Sequence, residues 1–140
     1  MTTPTTMPLD DVRVVAGILW RGRKLLCCCR PDGKPHAGFW EFPGGKVEGD
    51  ESEDAALRRE LDEELGVAVR APLAWRTIVH EYPERGIRVH ITFFNVTDFE
   101  GEPTSREGQG LLWMDYLDAP SLDFLPADAG LVRELEPPAR

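Results

Sequence analysis

The stretch Glu51–Leu65, "ESEDAALRRELDEEL", holds neither proline nor glycine, repeats leucine at positions 57, 61 and 65, and is followed by Gly66 where a helix C-cap would stand. This predicts a helix over 51–65, and its single leucine stripe requires an apolar surface to lie on. From Glu48 to Glu64 the chain carries nine carboxylates against two arginines. At about 100° per residue the three leucines share a narrow arc, Glu60, Glu63 and Glu64 fall on the arc beside it with Glu53 near, and Arg59 lies away from that face. Like charges spaced i,i+3 and i,i+4 cost about 0.2–0.5 kcal/mol per pair, so something should offset the repulsion. Two readings remain open on these residues: a solvated acidic face, or ligands for a hard divalent cation such as Mg²⁺, which takes carboxylate oxygens and shares its other positions with phosphates.

The flanking segments read as strands. "VRVVAGILW" (Val12–Trp20), the turn "RGR" and "KLLCCC" form a hairpin. "RPDGKPHAG" is a loop, and "FWEFPGGK" runs through a short extended piece into a Gly-Gly turn. After the helix, "VAVRAPLAWRTIVHEY" and "IRVHITFFNV" supply two or three strands joined at "PERG"; "EGEPTSREGQG" is a polar loop, "LLWM" a strand and "ADAGLVREL" a closing helix. Strands, helix, then strands again predict an α/β fold with a mixed β-sheet between helices. Cys27, Cys28 and Cys29 are consecutive, so their side chains alternate across a strand; they are read as small apolar packing residues, not a disulfide framework or zinc site.

A chain of 140 residues, 41% hydrophobic, fits one compact domain, placed at 11–136 with a flexible tail at 1–10 and a short C-terminal tail at 137–140. A net charge of -9 and a pI near 4.8 argue against a nucleic-acid polymer as partner, although a divalent cation lets an acidic protein take a phosphorylated substrate. "MTTPTTMPLD" lacks the basic start and apolar run of a signal peptide, and "VVAGILW" is far short of the roughly 20 residues that span a bilayer. A soluble cytoplasmic protein with no membrane partner is expected, as monomer or homodimer.

Gly45, Glu51, Arg59, Glu60, Leu61, Glu63, Glu64, Gly66 and Val67 fill without a gap every fixed position of the signature of the Nudix hydrolases, which this sequence therefore resembles. "WEFPGGKVE" and "REGQ…LW…PAD" extend the resemblance to the MutT-like branch, the small nucleoside triphosphate pyrophosphohydrolases. The resemblance implies a Nudix α/β/α sandwich and a metal-dependent hydrolase that splits nucleoside triphosphates into nucleoside monophosphate and pyrophosphate. It also implies Mg²⁺ or Mn²⁺ on Glu60, Glu63, Glu64, the late-loop Glu107 and the Gly44 carbonyl. Gly45, Glu51, Arg59 and Gly66 are its structural positions, with Arg59 orienting a neighbouring carboxylate and not clamping phosphate. Either Glu60 or Glu107 serves as general base. Glu107 as an ordinary loop acid and Gly44 as a turn residue remain alternatives.

By the same resemblance Arg30 and Lys46 match basic positions that contact phosphate or nucleotide, or else are surface cations. Phe42 and Tyr82 are candidates to stack on the base and equally candidates for the core. Asp128, in "PAD", stands where 8-oxo-dGTP enzymes of the branch carry asparagine, and the bacterial CTP pyrophosphohydrolases are similar here. Ionised, it only accepts hydrogen bonds, which suits a donor edge such as the cytosine amine; capping the last helix is the other reading. The expected substrates are (d)CTP or oxidised nucleotides in nucleotide-pool sanitation, with 8-oxo-dGTP hydrolysis as the near alternative. A non-catalytic nucleotide-binding regulatory module is the alternative of another class, against which the intact box argues.

Overall fold

The computed structural model describes residues 8–138. Its strands are β1 (Asp10–Arg21), β2 (Lys24–Cys29), β3 (Trp40–Glu41), β4 (Gly44–Lys46), β5 (Ala68–Arg70), β6 (Leu73–Tyr82), β7 (Ile87–Val96), β8 (Asp98–Glu100) and β9 (Gly110–Asp115). The helices are α1 (Glu53–Leu65) and α2 (Pro126–Val132). The expected N-terminal tail falls mostly on residues 1–7, outside the described residues, and its last member, Asp10, already belongs to β1.

β1 and β2 form the predicted hairpin, but they pair only at Trp20↔Leu25 and Arg21↔Lys24. Below that point they part, and β4 takes the place beside β1 with Val14↔Lys46, Val15↔Gly45 and Ala16↔Gly44. The expected Gly-Gly turn is therefore a strand. Bare backbone makes this possible: a Cβ on Gly44 would sit 2.8 Å from the Ala16 Cα. Released from β1, β2 pairs with β9 over six positions and with β3 at its far end. On the other side of β1, β7 runs parallel over ten positions and β6 lies antiparallel to β7. β5 and β8 make a separate two-stranded ribbon; β8 has no recognisable sequence signal.

Strand alternation sends residues to both faces. Val15 and Leu19 of β1 with Phe94 and Val96 of β7 meet Ala56, Leu57, Leu61 and Leu65 of α1, while Ala16, Ile18 and Trp20 with Ile91 and Phe93 meet Ala127, Leu131 and Val132 of α2. One helix on each face of a mixed sheet is the predicted sandwich. All three stripe leucines are fully buried, each contributing roughly 1.5–3 kcal/mol of transfer free energy. α1 starts two residues later than expected because Ser52 is its N-cap, with Oγ accepting the Ala55 N–H at 3.0 Å. Gly66 ends it as predicted, left-handed at φ 71° and donating to the Asp62 carbonyl. Among the described residues no helix is long and apolar enough to cross a membrane.

Candidate active site

The site grows from the gap where β1 and β2 part. β4 fills one side of it, and α1 lies across β4 with its carboxylate arc facing the glycines. The Gly44 N–H donates to Glu64 Oε2 at 3.0 Å. Gly45 leaves room for the next acid: a Cβ there would come within 2.6 Å of both carboxylate oxygens of Glu60. Two adjacent glycines thus draw two acids of one helix face into a half-buried recess.

Burial pushes the Glu64 carboxyl up to about 8, with the charges of Glu107 and Glu60 adding to it and the Gly44 N–H opposing it. Glu60 is raised in the same direction, first by burial, against the pull of Arg59. Glu107, from the loop before β9, therefore stands with Glu60 and Glu64. Glu63 differs: its side chain is 56% exposed and reaches Arg59 at 3.4 Å. Arg59 folds back along the helix, so its wheel position understates its reach. It grips Glu51 twice, bonds Glu60 Oε1 at 2.9 Å and donates to the Lys46 carbonyl at 3.0 Å. The Arg59 guanidinium, with the Glu48 N–H second, lowers the Glu51 carboxyl to about 2.

Among the described residues no three His, Cys, Asp or Glu side chains stand as a finished metal cage. The donor set nevertheless suits a hard divalent cation in kind, because Glu64 and Glu107 line one pocket, Glu60 lies beside Gly45 on the same helix face, and all three offer carboxylate oxygens. The pocket that Glu64 and Glu107 line is also lined by Cys28, Cys29, Arg30, Lys34, Glu41 and Gln109. Of these, sequence reasoning named only Arg30 as a site residue. Strand alternation signals which residues share a face, not which face borders a pocket.

Arg30 stands between this pocket and a second one lined by His36, Tyr82, Arg85, Leu125 and Pro126. It is held by Glu41 at 2.8 Å and by the Pro35 carbonyl at 2.7 Å. Tyr82 is half-buried there, beside His80 and Arg85. Lys46 is exposed and lines neither pocket. Phe42 is 3% exposed and packs against Phe93 and Phe124, so it is a core residue and not a stacking partner for a base.

Asp128 is buried in the first turn of α2, near Glu41 and Tyr82. It does not N-cap α2, a position held by Leu125 without a side-chain bond; its carboxylate accepts the Phe42 N–H instead. Burial, with Glu41 adding, pushes its carboxyl up to about 7. In its ionised form it only accepts, and where it keeps its proton it also donates.

A NUDIX domain model matches residues 11–135. The CTP pyrophosphohydrolase of Escherichia coli (strain K12) is 40% identical over 121 residues, 86% of this chain and 88% of that one. The 8-oxo-dGTP diphosphatase of Proteus vulgaris is 37% identical over 103 residues, 73% of this chain and 90% of its own. Among solved structures, the E. coli ORF135 protein superposes with a TM-score of 0.79 at 38% identity, covering 89% of this chain and 87% of that one. With the family model spanning nearly the whole chain and these relatives above 35% identity, the protein belongs to the NUDIX domain family.

Proposed function

We propose that the chain is a nucleoside triphosphate pyrophosphohydrolase that uses a divalent cation and acts on cytosine or oxidised nucleotides. The observation that carries the reading is the crowding of Glu64 by Glu60 and Glu107 against the Gly44 N–H. Glu60, Glu64, Glu107 and the Gly44 carbonyl would hold Mg²⁺ or Mn²⁺, with Glu63 contributing from the exposed edge. Bound there, the cation neutralises phosphate oxygens and acidifies water. Glu60 or Glu107 takes the proton of the attacking water, and Arg59 holds Glu60 in place for it. Arg30 and Lys34, which line the same pocket as Glu64 and Glu107, offer cations to the phosphates. The phosphate chain and the nucleoside then lie on either side of Arg30, which borders both pockets, with Tyr82 lining the nucleoside end and Asp128 buried near Tyr82.

The name of the Escherichia coli relative supports a cytosine nucleotide. The partly protonated Asp128 favours a second reading, 8-oxo-dGTP, because a carboxylic acid both donates and accepts as the amide of asparagine does. Pyrophosphate release measured across canonical and oxidised nucleoside triphosphates, with dinucleoside polyphosphates and nucleotide sugars as controls, tests both readings. Turnover of the controls alone would overturn them.

A further inference from the structure

The loop that carries Glu107 is tied to the end of the carboxylate helix at several points. The Thr104 N–H donates to the Leu65 carbonyl at 3.0 Å and the Arg106 N–H to the Glu64 carbonyl at 3.2 Å. Arg106 Nη1 donates to the Asp62 carbonyl at 3.1 Å, placing a cation at a helix end whose own last turn has no basic residue. These bonds hold residues 104 and 106 against α1, but none of them fixes the direction the chain takes at Glu107.

That role falls to Gln109. Its Oε1 accepts from the Glu107 N–H and from the Ser105 hydroxyl, both at 2.9 Å, while its Nε2 points to the Glu64 carbonyl at 3.4 Å. Gly108, left-handed at φ 78°, lets the chain double back so that one side chain reaches all three groups. Of the three contacts the acceptor pair is shorter. The carboxamide therefore joins the backbone of one acid to the backbone of the other.

We propose that Gln109 is a positioning residue that sets Glu107 against Glu64, so that loop and helix present their carboxylates to a divalent cation as one unit. This rests on the cation reading given above. Glu107 is exposed on a loop, and without the carboxamide its backbone would turn freely at a site where ligand placement decides affinity.

The test is Mn²⁺ binding by calorimetry in the absence of nucleotide, with amide exchange at Glu107 followed by NMR, in wild type, Gln109→Met, Gln109→Glu and Glu64→Gln. Gln109→Met removes donor and acceptor at similar length; it is expected to weaken Mn²⁺ about tenfold and to speed exchange at Glu107 while α1 keeps its protection. Excess Mn²⁺ should restore its turnover, because every carboxylate is still present. Gln109→Glu keeps the acceptor oxygen and should keep the Glu107 amide protected. If Gln109→Met does not fold, Gln109→Asn, one methylene too short, must show the same losses. Wild-type Mn²⁺ affinity and Glu107 protection in the Gln109 variant, with Glu64→Gln impaired, would overturn the positioning role alone. Unchanged affinity in Glu64→Gln would overturn the cation reading and the positioning role with it.

Discussion

Arg59 holds Glu51 through two parallel bonds, Nε to Oε2 at 2.8 Å and Nη2 to Oε1 at 2.9 Å, while its Nη1 reaches Glu60 at 2.9 Å. Glu51 thus fixes the arginine that fixes a carboxylate of the site. Because this pairing, together with the Glu48 N–H that donates to Glu51 Oε1, lowers the Glu51 carboxyl from 4.5 to about 2, the stability these bonds contribute is present above pH 4.5 and is lost as pH falls through about 2. Glu51→Gln should therefore be less stable than wild type by a constant margin above pH 4.5, and the margin should shrink below it. Turnover should fall about 10–100-fold as Glu60 loosens. Denaturation at pH 3 and pH 6 checks the first expectation; an equal margin at both would mean that the pair does not carry the effect.

The helix, its C-cap and its buried stripe were legible because they depend on neighbours within four residues: the Leu57–Leu65 period and Gly66 suffice. β4 was not, because glycine has no strand preference and the pairing of Gly44–Lys46 with Val14–Ala16 is long-range. The acids of α1 could be placed on one arc from spacing, whereas Glu41 and Gln109 become site residues only when β2 leaves β1 and opens the pocket. Phe42 was ambiguous for the same reason. An aromatic beside a site is indistinguishable in sequence from one beneath it until Phe93 and Phe124 are seen to enclose it. Arg59 shows the limit of a helical wheel, which gives the direction of a Cβ and not the reach of a long side chain.

The two glycines of β4 should respond differently to the same change. At Gly45 the added Cβ of alanine meets the flexible end of Glu60, within 2.6 Å of both oxygens. Gly45→Ala should displace that carboxylate and lower kcat about 10²-fold, with a small change in Tm. At Gly44 the Cβ meets Ala16 Cα at 2.8 Å and the backbone of Val15, neither of which can yield. Gly44→Ala should break the β1–β4 pairing and lower Tm sharply. Melting curves and initial rates for both variants separate the cases; loss of stability in Gly45→Ala without loss of rate would refute the assignment.

Repulsion among Glu60, Glu64 and Glu107 makes the metal-free protein less stable than it could be. Glu64→Gln cannot ionise and keeps an acceptor for the Gly44 N–H, so without metal its Tm relative to wild type should rise from pH 4.5 to pH 8 while its turnover falls by orders of magnitude. Mg²⁺ at a hundredfold excess over its Kd should stabilise wild type by about 2.7 kcal/mol. For a domain of this size that corresponds to about 5–10 °C. The shift in Glu64→Gln should be much smaller. Equal Mg²⁺ shifts in the two proteins would place the cation elsewhere.

Asp128 offers a test that separates structure from recognition. Its folded carboxyl keeps a proton up to about pH 7, whereas the unfolded one releases it near 3.8. The stability this group contributes is accordingly complete below pH 3.8 and is lost as pH rises through about 7. Asp128→Asn cannot ionise and still offers an oxygen to the Phe42 N–H, so its Tm relative to wild type should rise from pH 4 to pH 8. That much follows from burial alone. If Asp128 also faces the base, the wild-type ratio of kcat/KM for cytosine and 8-oxoguanine nucleotides should change through pH 7, as a group that donates and accepts becomes one that only accepts. The ratio for Asp128→Asn should stay flat over the same range. A pH-dependent Tm difference with pH-independent ratios in both proteins would leave Asp128 as a buried acid of the α2 packing face and move base recognition to the residues around Tyr82.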